Sequence, residues 1–183
     1  IRILPFRGEY YWVKQTDSHK INSLIYPVPD PAFPFLGVHL TKTTDGKLEA
    51  GPNAVPAFSR EGYKKSSVNV RELWNLVSYS GSRKLFKKYW KTGFMEIRRS
   101  FSKSAFAKDI SKFMPGVKVS DLKYAGSGVR AQACDENGNI IDDFVIYETK
   151  NSINVCNAPS PAATTSLSIG KTISDKLMSK INP

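Results

Sequence analysis

Ile153-Asn154-Val155-Cys156-Asn157-Ala158-Pro159-Ser160-Pro161-Ala162-Ala163-Thr164-Thr165-Ser166-Leu167-Ser168-Ile169-Gly170 is the stretch that decides the fold. Residues 153–156 read as a strand, and two prolines follow in a tight loop. A small-residue helix start comes next and continues to about Ile181. A strand that turns through small residues into a helix offers free backbone N–H groups and a positive dipole end. That end suits an anion, a phosphate or an electron-rich ring edge. The plainer alternative is an ordinary capped connection, with small residues where a helix packs closely on a sheet. Upstream, Gly126-Ser127-Gly128-Val129-Arg130-Ala131-Gln132 places one arginine in a glycine-rich turn into a strand.

Working outward, residues 122–124, 129–134 and 144–147 also read as strands, with Asn137-Gly138 as a hairpin turn. The first part of the chain, to about residue 58, reads as β. Strands are expected at 9–14, at 23–29 running into prolines, and at 35–41. Asp45-Gly46 marks a hairpin with a return over 48–51. The middle has helical spacing over 70–77, over 83–90 and from 93 to about Met114, where Pro115-Gly116 stops it. There is no internal repeat and no low-complexity tract. The expected class is α+β (α/β): a mixed, largely antiparallel sheet with a helical insertion, followed by a returning strand–helix part.

With 183 residues, 40% hydrophobic and 11% aromatic, the chain can bury the core of one domain, or one and a part. No apolar run approaches the ~20 residues of a membrane span. The chain opens on Ile1-Arg2-Ile3-Leu4, a strand-like start without Met, which suggests a piece of something longer. Cys134 and Cys156 are expected to be free buried thiols of a reducing compartment. Metal-ligand spacing is absent, and the histidines are His19, in a polar turn, and His39. The net charge is +11, and between Arg60 and Lys103 twelve Lys/Arg face three acids. The run Arg83-Lys84-Leu85-Phe86-Lys87-Lys88-Tyr89-Trp90-Lys91 is either a solvated helix face or a surface for anionic lipid. No nucleic-acid-binding signature accompanies it, so no nucleic-acid partner is expected.

Several segments in this order resemble one family. They are Pro5-Phe6-Arg7-Gly8-Glu9-Tyr10-Tyr11, Leu24-Ile25-Tyr26-Pro27-Val28-Pro29-Asp30-Pro31 and Phe33-Pro34-Phe35-Leu36-Gly37-Val38-His39-Leu40-Thr41. Gly51-Pro52-Asn53-Ala54, Arg60-Glu61-Gly62-Tyr63, Gly128-Val129-Arg130-Ala131-Gln132 and Asn157-Ala158-Pro159-Ser160-Pro161-Ala162-Ala163 continue the series. Together they resemble the C-terminal half of FAD-dependent L-2-hydroxyglutarate oxidases and dehydrogenases, within the D-amino-acid-oxidase-like superfamily. The resemblance implies a substrate-binding domain over 1–120, with its sheet in 1–58 and basic helices in 60–115. It implies the C-terminal portion of the FAD-binding domain over 121–183. The superfamily's strand–GxGxxG–helix fingerprint for the FAD pyrophosphate has no counterpart here.

The implied chemistry is oxidation of L-2-hydroxyglutarate to 2-oxoglutarate by hydride transfer to flavin N5. Gly128-Val129-Arg130 matches the family's GxR motif, whose arginine holds the substrate α-carboxylate by a bidentate fork. Ala131 stands where proline is usual, as in the hydroxyglutarate group. His39 has the pKa range for taking the hydroxyl proton, and strand alternation sets it opposite Val38 and Leu40. Arg7, Tyr10, Tyr26, Asn53 and Arg60 are further candidates for substrate, the arginines for a distal carboxylate. Gly128, Val129, Asn157, Ala158, Pro159, Ser160, Pro161, Ala162 and Ala163 are the candidates for FAD, the last helix stabilising the reduced ring. The electron acceptor would be a quinone or oxygen. The location would be cytoplasmic, peripheral at the inner membrane if residues 83–91 dock there, and mitochondrial in a eukaryote. One rival is an amine or amino-acid oxidase of the same superfamily. Another, of a different class, is a basic membrane- or nucleic-acid-binding module without catalysis.

Overall fold

The computed structural model describes residues 1–15, 21–28, 37–159 and 162–181. Its organising element is one long strand, β1 (Arg2–Val13), which joins the strand-like start of the chain to the expected strand at 9–14. Pro5 sits inside it without breaking it, because its carbonyl still accepts the Ala57 N–H at 3.0 Å. The chain continues through β2 (His39–Lys42), β3 (Leu48–Gly51) and β4 (Val55–Pro56). After the helices come β5 (Leu122–Cys134) and β6 (Ile140–Ile141). These six strands form one sheet in the order β2-β3-β1-β5-β6, with β4 also pairing to β1. Every pairing between them is antiparallel. The mixed α+β class is therefore correct.

Three local expectations change. The glycine-rich stretch is no turn: Gly126, Ser127 and Gly128 lie within β5, paired to Tyr10, Glu9 and Gly8. Two long strands side by side supply the partners that keep the glycines extended. The segment at 23–29 is reduced, among its described residues, to a single bridge between Ile25 and Leu40. Pro27 cannot donate to a ladder, so pairing stops before it. The third expected strand starts only at His39, and residues 35 and 36 lie outside the described residues.

Between β4 and β5 the chain makes four helices: α1 (Val70–Ser78), α2 (Ser80–Lys88), α3 (Trp90–Phe101) and α4 (Lys103–Ile110). The expected single helix from 93 to 114 is thus two. Ser102 takes an extended conformation and its side chain accepts the Ala105 N–H, which caps α4. A serine that bonds the backbone locally favours such a break over helix interior.

The sheet has two faces with different cover. Tyr11, Val13, Leu40, Leu48, Ala50 and Leu122 point to one side and bury against Phe106, Ala107 and Ile110 of α4. Leu4, Phe6 and Cys134 point to the other and pack on Leu76, Tyr79 and Leu85 of α1 and α2. Cys156 is exposed, which corrects the expectation that both thiols are buried. A separate antiparallel pair, β7 (Ile146–Glu148) and β8 (Ile153–Val155), precedes the last helix, α5 (Ser166–Ile181). Lys176 and Lys180 tie α5 to Glu148 at 2.8 and 3.1 Å.

Candidate active site

Register decides which side chains share a face. Residues opposite each other across antiparallel strands point the same way. Arg130 is opposite Phe6, Gly128 opposite Gly8, and Gly126 opposite Tyr10. On the other side of β1, His39 is opposite Gly51, and its neighbour Leu40 is opposite Ala50, itself opposite Tyr11. Arg130, Gly128, Gly126, Tyr10, Gly51 and His39 therefore lie on one face, the side opposite α4. Toward its middle this face is floored by glycine. A Cβ added at Gly126 or Gly128 would meet no atom within 4 Å, so the backbone lies bare to anything resting on it. A Cβ at Gly8 would come within 2.6 Å of Pro52, which closes the floor beside them.

His39 is half-buried at the start of β2, and its ring stacks on Tyr26 at 4.3 Å and 20°. Nδ1 lies 3.2 Å from the Gly37 carbonyl oxygen, which can only accept, so the proton of the neutral ring sits on Nδ1. Nε2 then keeps its lone pair. Burial lowers the His39 pKa below 6.5, the Gly37 carbonyl opposes this, and the Arg130 charge lowers it further. The two principal candidates are thus electrostatically coupled. Arg130 itself is half-buried and, among the described residues, forms no ion pair with any carboxylate.

Arg7 and Asn53 do not join this group. Arg7 points to the opposite face, where its Nε lies 3.4 Å from Glu9 Oε1 and its Nη1 donates to the Lys64 carbonyl. Asn53 is buried and accepts the Glu9 N–H at 2.7 Å while donating to Glu9 Oε2 at 3.0 Å. Ser100 Oγ donates to Glu9 Oε1 at 2.9 Å, and Lys65 approaches the same oxygen at 3.5 Å. Glu9 is the centre of a buried polar cluster that locks β1 to α3 and to the loop after β3. Its signal in the sequence is a carboxylate inside an apolar strand. Arg60 is exposed, in a turn whose backbone N–H donates to Glu72 at 2.7 Å. Tyr10 is half-buried and Tyr26 about half exposed, both beside the glycine floor or His39.

The last loop is built differently from the expected helix start. Asn157 is buried and staples its own unit: Oδ1 accepts from Val145 N at 2.6 Å and Nδ2 donates to the Asp143 carbonyl at 2.9 Å. Ala162 donates to the Pro159 carbonyl in a turn, and α5 begins only at Ser166. Ala158 and Ala163 are exposed. His19, Ser160 and Pro161 lie outside the described residues.

An open glycine-floored face, flanked by a guanidinium without an ion pair among the described residues and by a half-buried imidazole, has room for a flat ligand and a small anion together. Comparison with known proteins gives the family. The family described as FAD dependent oxidoreductase matches residues 1–176. The chain belongs to this FAD-dependent oxidoreductase family. Within the family, an L-2-hydroxyglutarate dehydrogenase of Indibacter alkaliphilus is 57% identical over 94% of this chain and 43% of its own length. The enzyme of that name from Escherichia coli K12 is 44% identical over 99% of the chain and 44% of its own length. A mitochondrial L-2-hydroxyglutarate dehydrogenase of Nematostella vectensis is 46% identical over 96% and 40%. This FAD-dependent oxidoreductase chain thus spans about two fifths of the length of the curated relatives it matches.

Proposed function

We propose that the chain is the substrate-side part of a flavoenzyme that oxidises L-2-hydroxyglutarate to 2-oxoglutarate. The observation that carries this reading is the coupled pair of Arg130 and His39 on one open face of the sheet. A 2-hydroxy acid carries a carboxylate next to the carbon that must be oxidised. The Arg130 fork donates two parallel hydrogen bonds to that carboxylate and so fixes the position of C2. His39 Nε2 accepts the proton of the C2 hydroxyl, which fits its free lone pair. Its lowered pKa keeps the imidazole neutral at pH 7, ready to act as base. A carboxylate on Arg130 also cancels part of the charge that depresses His39, so substrate binding itself strengthens the base.

FAD, when bound, supplies the acceptor for the hydride that leaves C2. Gly126 and Gly128, bare above the sheet, fit the flat ring system; Gly128, Val129 and the loop from Asn157 to Ala163 are the residues proposed to contact it. The distal carboxylate is assigned to the side of Tyr10 and Tyr26, because Arg7 and Asn53 are spent on Glu9. The final acceptor is a quinone or oxygen.

The test uses the full-length protein under anaerobic conditions. Adding L-2-hydroxyglutarate is expected to bleach the flavin absorbance, while the D-isomer and amino acids leave it unchanged. A yellow protein bleached by an amino acid instead would transfer the chain to the amino-acid oxidases of the same superfamily.

A further inference from the structure

The side of the sheet turned away from the glycine floor carries a second cavity. It measures about 500 Å³ and is lined by Tyr11, Tyr63, Lys64, Lys65, Lys103 and Tyr124. Three lysines and three tyrosines line it, and among the described residues no carboxylate does. Tyr11 and Tyr124 face each other across β1 and β5, and Tyr11 packs on Phe106 of α4, which fixes the side of the sheet. Tyr63 is tied to β5 through its carbonyl, which accepts a hydrogen bond from Ser127 Oγ. Lys103 is the first residue of α4. Two strands, the loop after β4 and a helix thus converge on one concavity that the proposed chemistry leaves unused.

Beside the cavity wall the charges do not balance. Arg7 is 5% exposed, and its Nη1 donates to the carbonyl of Lys64. Its Nε lies 3.4 Å from Glu9 Oε1 yet makes no hydrogen bond, which leaves a buried donor without an acceptor. Lys65 Nζ reaches the same Glu9 oxygen at 3.5 Å and also donates to the Ser100 carbonyl. Glu9 is therefore shared by two cations, while Lys64 and Lys103 form no ion pair among the described residues. Four cations against one carboxylate leave a surplus of positive charge, part of it around a buried guanidinium. Such a surplus is costly until an anion offsets it. Lysine heads meet phosphate oxygens as point charges. The tyrosines add a second requirement. Tyr63 and Tyr124 are each 52% exposed, and Tyr124 meets Tyr11 edge to face at 5.8 Å and 79°, so neither exposed ring is stacked away within the cavity. Open aromatic rings beside lysines take a base by stacking and its phosphates by charge. Inorganic phosphate or a simple diacid would engage the lysines and leave the rings idle.

We propose that this cavity binds a purine nucleotide, with the base on Tyr63 and Tyr124 and the phosphates on Lys64, Lys65 and Lys103. The proposal goes beyond the reaction and does not depend on it, since none of these residues is assigned to substrate or FAD. The test is isothermal titration calorimetry of ADP into the full-length flavoprotein saturated with FAD, so that a vacant FAD site cannot take the titrant. Saturable binding of ADP is expected, weakening as salt is raised. Adenosine and inorganic phosphate, each carrying half of the recognition, should bind at least ~10-fold more weakly. Lys64→Ala with Lys103→Ala, both exposed, should weaken ADP about 5-fold or more. Tyr124→Ser should also weaken it about 5-fold or more. Both variants should keep the flavin content and the thermal melt of the wild type. Absence of saturable ADP binding would overturn the proposal. Inorganic phosphate binding as tightly as ADP would overturn it too, and so would an ADP affinity that either variant leaves unchanged.

Discussion

Removing the Arg130 guanidinium tests both halves of the site at once. Arg130→Ala deletes a half-buried cation with no carboxylate partner among the described residues, so folding loses little. A carboxylate about 4 Å from such a cation gains about 4 kcal/mol at an effective dielectric near 20. Partial exposure reduces this to about 2–3 kcal/mol. At 1.36 kcal/mol per decade, kcat/KM for L-2-hydroxyglutarate should fall about 30- to 160-fold. Arg130→Lys keeps the charge but not the fork and should lose about 5- to 20-fold. The second readout is pH. The Arg130 charge lowers the His39 pKa, so its removal makes the imidazolium easier to form. A base works only when neutral, so if His39 has the proposed role the acid limb of kcat/KM should move to higher pH. Steady-state kinetics of the full-length enzyme across pH, with a thermal melt as control, measures both. A loss below threefold, or an acid limb that stays put or moves to lower pH, would refute the assignment.

Glu9→Ala should cost about 3–5 kcal/mol in thermal or denaturant unfolding, since it strands the buried Arg7 charge and leaves Asn53 and Ser100 without their acceptor. Gly8→Ala should destabilise by about 1–3 kcal/mol, because its Cβ would lie 2.6 Å from Pro52. Gly128→Val, facing open space one strand away, should leave the melt unchanged and reduce flavin bound per protein, read from the visible absorbance. Asn69→Ala removes the acceptor for Arg71 N and Glu72 N at the start of α1 and should cost about 1 kcal/mol.

The sequence carried side-chain orientation further than it carried the bounds of the strands. Alternation alone set His39 opposite Val38 and Leu40, and those two are buried while His39 is not. Local turn chemistry was equally readable: Gly46 and Gly138 both take positive φ at the expected hairpins. What stayed hidden depends on partners far along the chain. Gly126-Ser127-Gly128 looks like a turn because glycine lacks strand propensity, and only β1 holds it extended. In one dimension Arg130, in the GxR motif, and Arg7, a further candidate for the distal carboxylate, both qualify as carboxylate binders. They differ only because β1 turns Arg7 toward Glu9, whereas β5 turns Arg130 to the open face. The break at Ser102 was missed because apolar spacing runs through it while the cap depends on one hydroxyl.

The pairing of β1 with β5 also constrains how the chain can be made. Arg2 sits opposite Cys134, and Val13 opposite Leu122. Closing a loop of roughly 110 residues costs about 4 kcal/mol of chain entropy before any pair is gained. During synthesis, β1 therefore emerges with one side unfilled and waits until the whole helical insertion and β5 have left the ribosome. The edge that waits includes Tyr10, Tyr11 and Trp12, a sticky template for any other strand. The α1–α4 excursion folds from nearby contacts in that interval. Its length sets how long the centre of the future sheet stands open.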